Sequence, residues 1–178
     1  MKKVNLLILL VCVTTLSFAE NLKPVAQKVF DAFSSSQNVT EVRLFTPEAA
    51  NTARQNTLEP VVRKFTVLGF NKAAASAMVS MKPDLISFEI PDALGGITTL
   101  KLVKTNIFTP DFTVTTGSTG GKQFNYNDGV HYQGIVDGNN QSIAAISIFK
   151  DEVMGLISSP FTGNTVLGKI KDDMQNAH

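Results

Sequence analysis

Leu85-Ile86-Ser87-Phe88-Glu89-Ile90, then Asp92-Ala93-Leu94-Gly95-Gly96, then Thr98-Thr99-Leu100-Lys101-Leu102-Val103-Lys104 is the stretch that decides the fold class. In the first run Ile86, Phe88 and Ile90 oppose Leu85, Ser87 and Glu89, and the second run alternates likewise. A period of two puts one set of side chains on each face of an extended chain, which a helix of period 3.6 cannot do. The glycine-bearing spacer turns the chain, so the stretch predicts a hairpin. Strand-forming runs return at residues 112–115, 130–136, 142–149, 153–158 and 165–169. Turn formers separate them: Gly117-Ser118-Thr119-Gly120-Gly121, Asp137-Gly138-Asn139-Asn140, Lys150-Asp151-Glu152 and Gly163-Asn164. At least five strands in sequence, a meander, are expected.

Upstream the pattern differs. Val25, Val29, Phe30 and Phe33 stand at helical spacing before Ser34-Ser35-Ser36-Gln37-Asn38, predicting a short amphipathic helix over residues 23–33. Residues 41–45 alternate, with Val42 and Leu44 on one side. Residues 47–55 read as a polar helical turn or loop, and 61–70 return to β-branched and aromatic residues. Asn71 is a good N-cap for the alanine-rich run 72–81, which Pro83 stops. Two short early helices followed by sequential hairpins predict an α+β fold, mainly an antiparallel meander sheet or open barrel. No internal repeat is present.

Met1 to Ala19 carries Lys2 and Lys3, the apolar run from Leu6 to Val13, and Ser17-Phe18-Ala19 with small residues at −3 and −1 before Glu20. This is the pattern of a signal peptide, too short to span the roughly 30 Å of bilayer hydrocarbon. Export to the periplasm or the cell exterior, without a membrane anchor, is the expectation. Residues 20–178 then form a single domain able to bury roughly 70% of its unfolded surface. Cys12 is the one cysteine of the chain and leaves with the leader; Val11 before it argues against lipidation. Disulfides, thiol nucleophiles and cysteine zinc ligands go with it. The 16 Lys+Arg against 15 Asp+Glu, two of the lysines lying in the leader, give no charge asymmetry toward nucleic acid or anionic lipid.

Candidate chemistry is sparse. Gly121-Lys122 closes a glycine-rich stretch, but a phosphate loop would need glycine at Thr116 and Ser/Thr at Gln123, so a surface loop is the reading. His131 and His178 are the only histidines, and neither belongs to an H-E-x-x-H helix; His131, beside Tyr132 on a strand, reads as structural. No G-x-S-x-G elbow is present. Asp128, Asp137, Asn139 and Asn140 lack calcium-loop spacing and suit tight turns, as Asp151-Glu152 and Asp172-Asp173 suit solvated ones. No catalytic, cofactor-binding or metal-binding residue is assigned, and no cofactor is expected.

One block carries a resemblance. Tyr132, Gly134, Val136, Gly138, Ser142, Ala145 and Ser147 fall on a Y-x-G-x-V-x-G-x-x-x-S-x-x-A-x-S pattern, and Val153-Met154-Gly155-Leu156-Ile157 continues it as x-x-G-L-I. The block resembles that of reprolysin-type (adamalysin or ADAM-like) zinc metalloprotease propeptides, especially the N-terminal prodomain of secreted bacterial members. Leu100 to Phe112 resembles the segment that precedes it, so the likeness covers residues 60–168. The resemblance implies a non-catalytic domain that assists folding of a zinc metalloprotease catalytic domain and keeps it latent. That domain, the implied partner, has no H-E-x-x-H-x-x-G-x-x-H helix here, and the inhibitory cysteine of classical members is also missing. The expectation is an N-terminal portion of a zymogen, with a stand-alone prodomain as the alternative. A rival from another class is a stand-alone extracytoplasmic binding or adhesion module, in which an exposed strand edge or loop recognises a protein or glycan; the absence of Trp, with Tyr126 and Tyr132 the only tyrosines, weakens a glycan platform of aromatic faces.

Overall fold

A computed structural model describes residues 22–49, 52–92, 95–124, 126, 128–171 and 177–178. The expected leader, and Asp172-Asp173, lie outside the described residues. Along the chain come α1 (Pro24–Ser35), β1 (Thr40–Arg43), β2 (Phe45–Glu48), α2 (Thr52–Leu58), β3 (Val67–Phe70), α3 (Lys72–Met81), β4 (Leu85–Pro91) and β5 (Ile97–Lys104). Then follow β6 (Val114–Thr115), a single 3-10 turn (Gly117–Thr119), β7 (Gln123–Phe124), β8 (Val130–Val136), β9 (Asn139–Ile148), β10 (Val153–Ser159) and β11 (Gly163–Leu167).

Seven strands make one sheet in the order β1-β4-β5-β8-β9-β10-β11, with β2–β3 and β6–β7 as separate two-stranded ladders. From β4 to β11 each strand pairs antiparallel with the next in the sheet, the expected meander interrupted by the β6–β7 excursion. β1 is the exception. It lies parallel to β4, with Thr40 opposite Ile86 and Arg43 opposite Glu89. The fold is α+β, and the sheet is open rather than closed into a barrel.

Alternation decides which residues meet. Ile86, Phe88 and Ile90 of β4, Leu100 and Leu102 of β5, Val130 and Tyr132 of β8, and Ala144, Ile146 and Ile148 of β9 share one face. There they join Phe45, Leu68, Ala75, Met78 and Val79 from β2, β3 and α3 in the main core. The other face is covered in part by α1, whose Ala26 and Val29 pack on Ile135 with Val25, Phe33 and Val103 around them. Val25, Val29 and Phe33 thus face the sheet as expected, but Phe30 points outward at 60% exposure and Ala26 takes the buried place. A small side chain lets the helix backbone approach the sheet where a phenyl ring would hold it off. Ala145, in the middle of the motif block, likewise faces outward while Ala144 and Ile146 are buried, as a period of two requires.

Asn71 caps α3 as expected, its Oδ1 accepting the Ala74 N–H at 3.0 Å. Lys82 closes the helix in the left-handed region at φ 44°. The third helix, α2, begins within the stretch read as a polar helical turn or loop and runs three residues beyond it. Its anchor is the buried Arg54, whose guanidinium pairs with Glu48 at 3.2 Å, a feature that apolar spacing does not announce. The run at 61–70 gives a strand only from Val67, and that at 112–115 only from Val114, because pairing partners exist there and not upstream. Ala177 and His178 are buried against the core: His178 exchanges backbone hydrogen bonds with Leu68, its ring packs on Phe45 and Phe70, and its Nε2 accepts the Val153 N–H at 3.0 Å.

Candidate functional site

The motif block forms β8, β9 and β10, and the sheet itself accounts for most of its unusual residues. Gly134 sits at a register shift between β8 and β9, and a Cβ there would lie 1.9 Å from the Lys101 carbonyl oxygen of β5. Only glycine fits. Gly138, at φ 75°, completes the two-residue turn that sets Val136 opposite Asn139. The Ser142 hydroxyl is buried. It accepts the Val136 N–H at 2.8 Å and donates to the Asn139 carbonyl at 2.6 Å, tying the two strands across their turn. Tyr132 reaches through the core to donate to the Pro83 carbonyl at 2.9 Å, and burial, with the Asp84 carboxylate adding, pushes its phenol well above the ordinary tyrosine value.

His131 is held at both ring nitrogens. Nε2 lies 2.7 Å from the Asp128 carbonyl, which can only accept, so Nε2 carries a proton; Nδ1 lies 2.9 Å from the Ser147 hydroxyl on the opposite strand. Phe108 and Phe149 flank the ring edge-on. This arrangement fixes the imidazole as a strut between β9 and the residue-128 backbone. The acidic and amide residues weighed for calcium are brought to separate tasks: Asp128 pairs with Lys82 at 3.0 Å, Asp137 with Lys101 at 2.7 Å, and Asn139 bonds Ser159 and the Gln141 N–H. Among the described residues no three His, Cys, Asp or Glu side chains are grouped as metal ligands. The glycine-rich stretch 116–122 forms the exposed tip of the β6–β7 excursion, where Thr116 and Ser118 share a hydroxyl hydrogen bond at 2.9 Å.

Two surface features carry more chemistry than any of these. The first is a cleft of about 560 Å³, lined by Phe108, Thr109, Phe112, Thr113, Val114, Gln123, Phe124, Tyr126 and Asp128. Phe108 and Phe112 stack with centroids 4.4 Å apart, and Tyr126 stands at 65° to Phe112. Phe112, Phe124 and Tyr126 are 46%, 48% and 44% exposed. The ladder of β6 with β7 folds the second half of the connection back on the first and so assembles the rings. Phe112 was expected in a strand and Tyr126 was counted as too little aromatic surface for a platform; their assembly with Phe108 and Phe124 was not expected. Three phenylalanines and a tyrosine within a Thr- and Gly-rich connection between strands were the available signal.

The second feature is the part of the sheet that α1 leaves uncovered. Ile143 of β9, Met154 and Leu156 of β10 and Val166 of β11 all point to that side, and Leu156 lies directly opposite Val166. Four exposed apolar side chains on adjacent strands make a contiguous patch. No helix among the described residues is long and apolar enough to cross a membrane. Compared with models of known families, with curated proteins and with solved structures, the chain finds no match in any of the three.

Proposed function

We propose that this chain is a non-catalytic prodomain of a secreted zinc metalloprotease, which assists folding of the catalytic domain and keeps it latent by covering surface rather than by ligating its metal. The observation that carries the reading is the position of the apolar patch. Ile143, Met154 and Leu156 project from the β9 and β10 strands that carry the second half of the motif block, on the same face as its Ala145, with Val166 alongside. A sheet face of this kind, beside a helix that already covers its other half, suits a protein partner. Export through the leader at residues 1–19 belongs to the same proposal. The test is to read the gene in frame past codon 178 for H-E-x-x-H-x-x-G-x-x-H, express the encoded catalytic domain and titrate this domain against it. Slowed peptide cleavage, relieved by Leu156→Lys, is expected; neither inhibition nor refolding assistance at tens of micromolar would overturn the proposal.

A second reading, a stand-alone extracytoplasmic binding module, is favoured by the aromatic cleft. Its half-exposed rings supply the faces that such a module needs. Binding of any small ligand there, mapped to residues 108–128, supports it.

A further inference from the structure

We infer that the cleft in the connection from β5 to β8 is a recognition site for a small molecule bearing an alkylammonium group. The inference deepens the binding-module reading and rests on it, since it names the ligand class of that same cleft.

Three observations carry it. The walls are aromatic and meet at a steep angle: Phe108 and Phe112 form one side as a stacked pair, Tyr126 stands across Phe112 at 65°, and Phe124 lines the cleft from β7. Ring faces are the negative part of an aromatic quadrupole, and rings set around a small volume attract a cation that no single ring would hold. The charge of the lining points the same way. Among the described lining residues Asp128 is the one ionisable group other than the Tyr126 phenol, its charge shared with Lys82, which reaches Oδ1 at 3.0 Å from outside the lining.

The third observation is that the acid is fixed in place. Lys82 takes Asp128 Oδ1 at 3.0 Å, and the His131 imidazole donates to the carbonyl of the same residue at 2.7 Å. His131 in turn is braced by Ser147 on β9 and carries Phe108 edge-on. One wall of the cleft and its carboxylate are therefore attached to the same strut of the sheet. A site positioned by a sheet keeps its geometry before a ligand arrives, so less ordering cost falls on binding. The remaining lining groups, Thr109, Thr113 and Gln123, offer hydroxyl and amide partners to whatever the cation is attached to.

The experiment is a titration of the full chain, followed by backbone amide NMR shifts, with three probes: choline, its neutral isostere dimethylbutanol in which carbon replaces nitrogen, and methyl glucoside. Choline should shift amides of residues 108–128, and Phe112→Ala, Tyr126→Ala and Asp128→Asn should each weaken it by about fivefold or more. The affinity should fall as salt is raised. Phe112 and Tyr126 are nearly half exposed, so their variants keep the fold; Asp128→Asn with the salt series gives a second route if one does not. Equal binding of dimethylbutanol, or binding of the glucoside alone, overturns the cationic ligand class while leaving the binding-module reading standing. Choline shifts that survive all three variants place the cation elsewhere on the surface and overturn the inference. No shift from any probe overturns both the inference and the reading beneath it.

Discussion

Two glycines in the same hairpin illustrate two different physical demands. Gly134 is required by proximity: an added methyl would meet the Lys101 carbonyl at 1.9 Å and Leu102 Cα at 2.9 Å, both backbone atoms of β5 that cannot swing away. Gly138 is required by its dihedral, with nothing within 4 Å of the position its Cβ would take. Gly134→Ala is therefore expected to cost about 3 kcal/mol or more, and Gly138→Ala about 1 kcal/mol, in urea unfolding. The opposite order would show that the β5–β8 spacing is looser than described. Tyr132 gives a pH-dependent counterpart. Its folded-state pKa is raised, so above the ordinary value near 10 the unfolded chain loses a phenolic proton that the folded chain keeps. Its stabilising contribution is complete below about pH 10 and declines as pH rises beyond that value. Tyr132→Phe should flatten this alkaline decline, while losing about 1 kcal/mol near pH 7 with the Pro83 hydrogen bond. A variant with the same alkaline slope as the parent would assign the effect to another group.

At the scale of elements, the β8–β9 hairpin depends on one buried hydroxyl and α3 on one amide. Ser142→Ala leaves the Val136 N–H and the Asn139 carbonyl without their partner, an expected loss of about 2 kcal/mol. Asn71→Ala removes the α3 cap for about 1 kcal/mol. Both are read by chemical denaturation with unchanged circular dichroism. These elements also show what a sequence can disclose. The β4–β5 hairpin and the run β8 to β11 were legible, because alternation and turn residues are local, and so was the Asn71 cap. Asn139, Asn140, Gly163 and Asn164, read as turns, are instead strand residues, and the run at 112–115 pairs outside the main sheet. Phe30 and Ala26 were not distinguishable by spacing, since both fall on one stripe and only the closeness of α1 to β8 selects the smaller. Helix α2 was legible only as a helical turn or loop over 47–55, because its anchor is an ion pair, Arg54 with Glu48, that apolar spacing does not mark. The cleft escaped for a similar reason: β6 and β7, two residues each, bring Phe124 and Tyr126 to Phe112 without any periodicity that would mark them.

At the scale of the molecule, the sheet has two unlike faces and two unlike edges. The core face is closed by α3 and the β2–β3 ladder, whereas the opposite face is closed by α1 only in part, leaving Leu156 and Val166 outward. Val166→Lys, at 77% exposure, should leave the stability within about 0.5 kcal/mol of the parent and, on the proposed prodomain reading, weaken inhibition of the catalytic domain. Unchanged inhibition would move the contact surface off this patch. The two edges were assembled differently. β11 joins β10 through a turn of a few residues, whereas β1 meets β4 across a sequence separation of 46, as in the Arg43–Glu89 pair whose guanidinium donates from Nε at 2.6 Å and from Nη2 at 3.1 Å. Closing so long a loop costs about 2 kcal/mol more than closing a hairpin, and nothing repays it until the partner strand exists. The order of events in refolding follows. In pulse-labelled hydrogen exchange the amides of β8, β9 and β10 should gain protection first and those of β1 last. Arg43→Ala should then quicken unfolding and leave the refolding rate nearly untouched, so that the parallel strand acts as a late latch governing how long the folded chain lasts rather than how quickly it is reached.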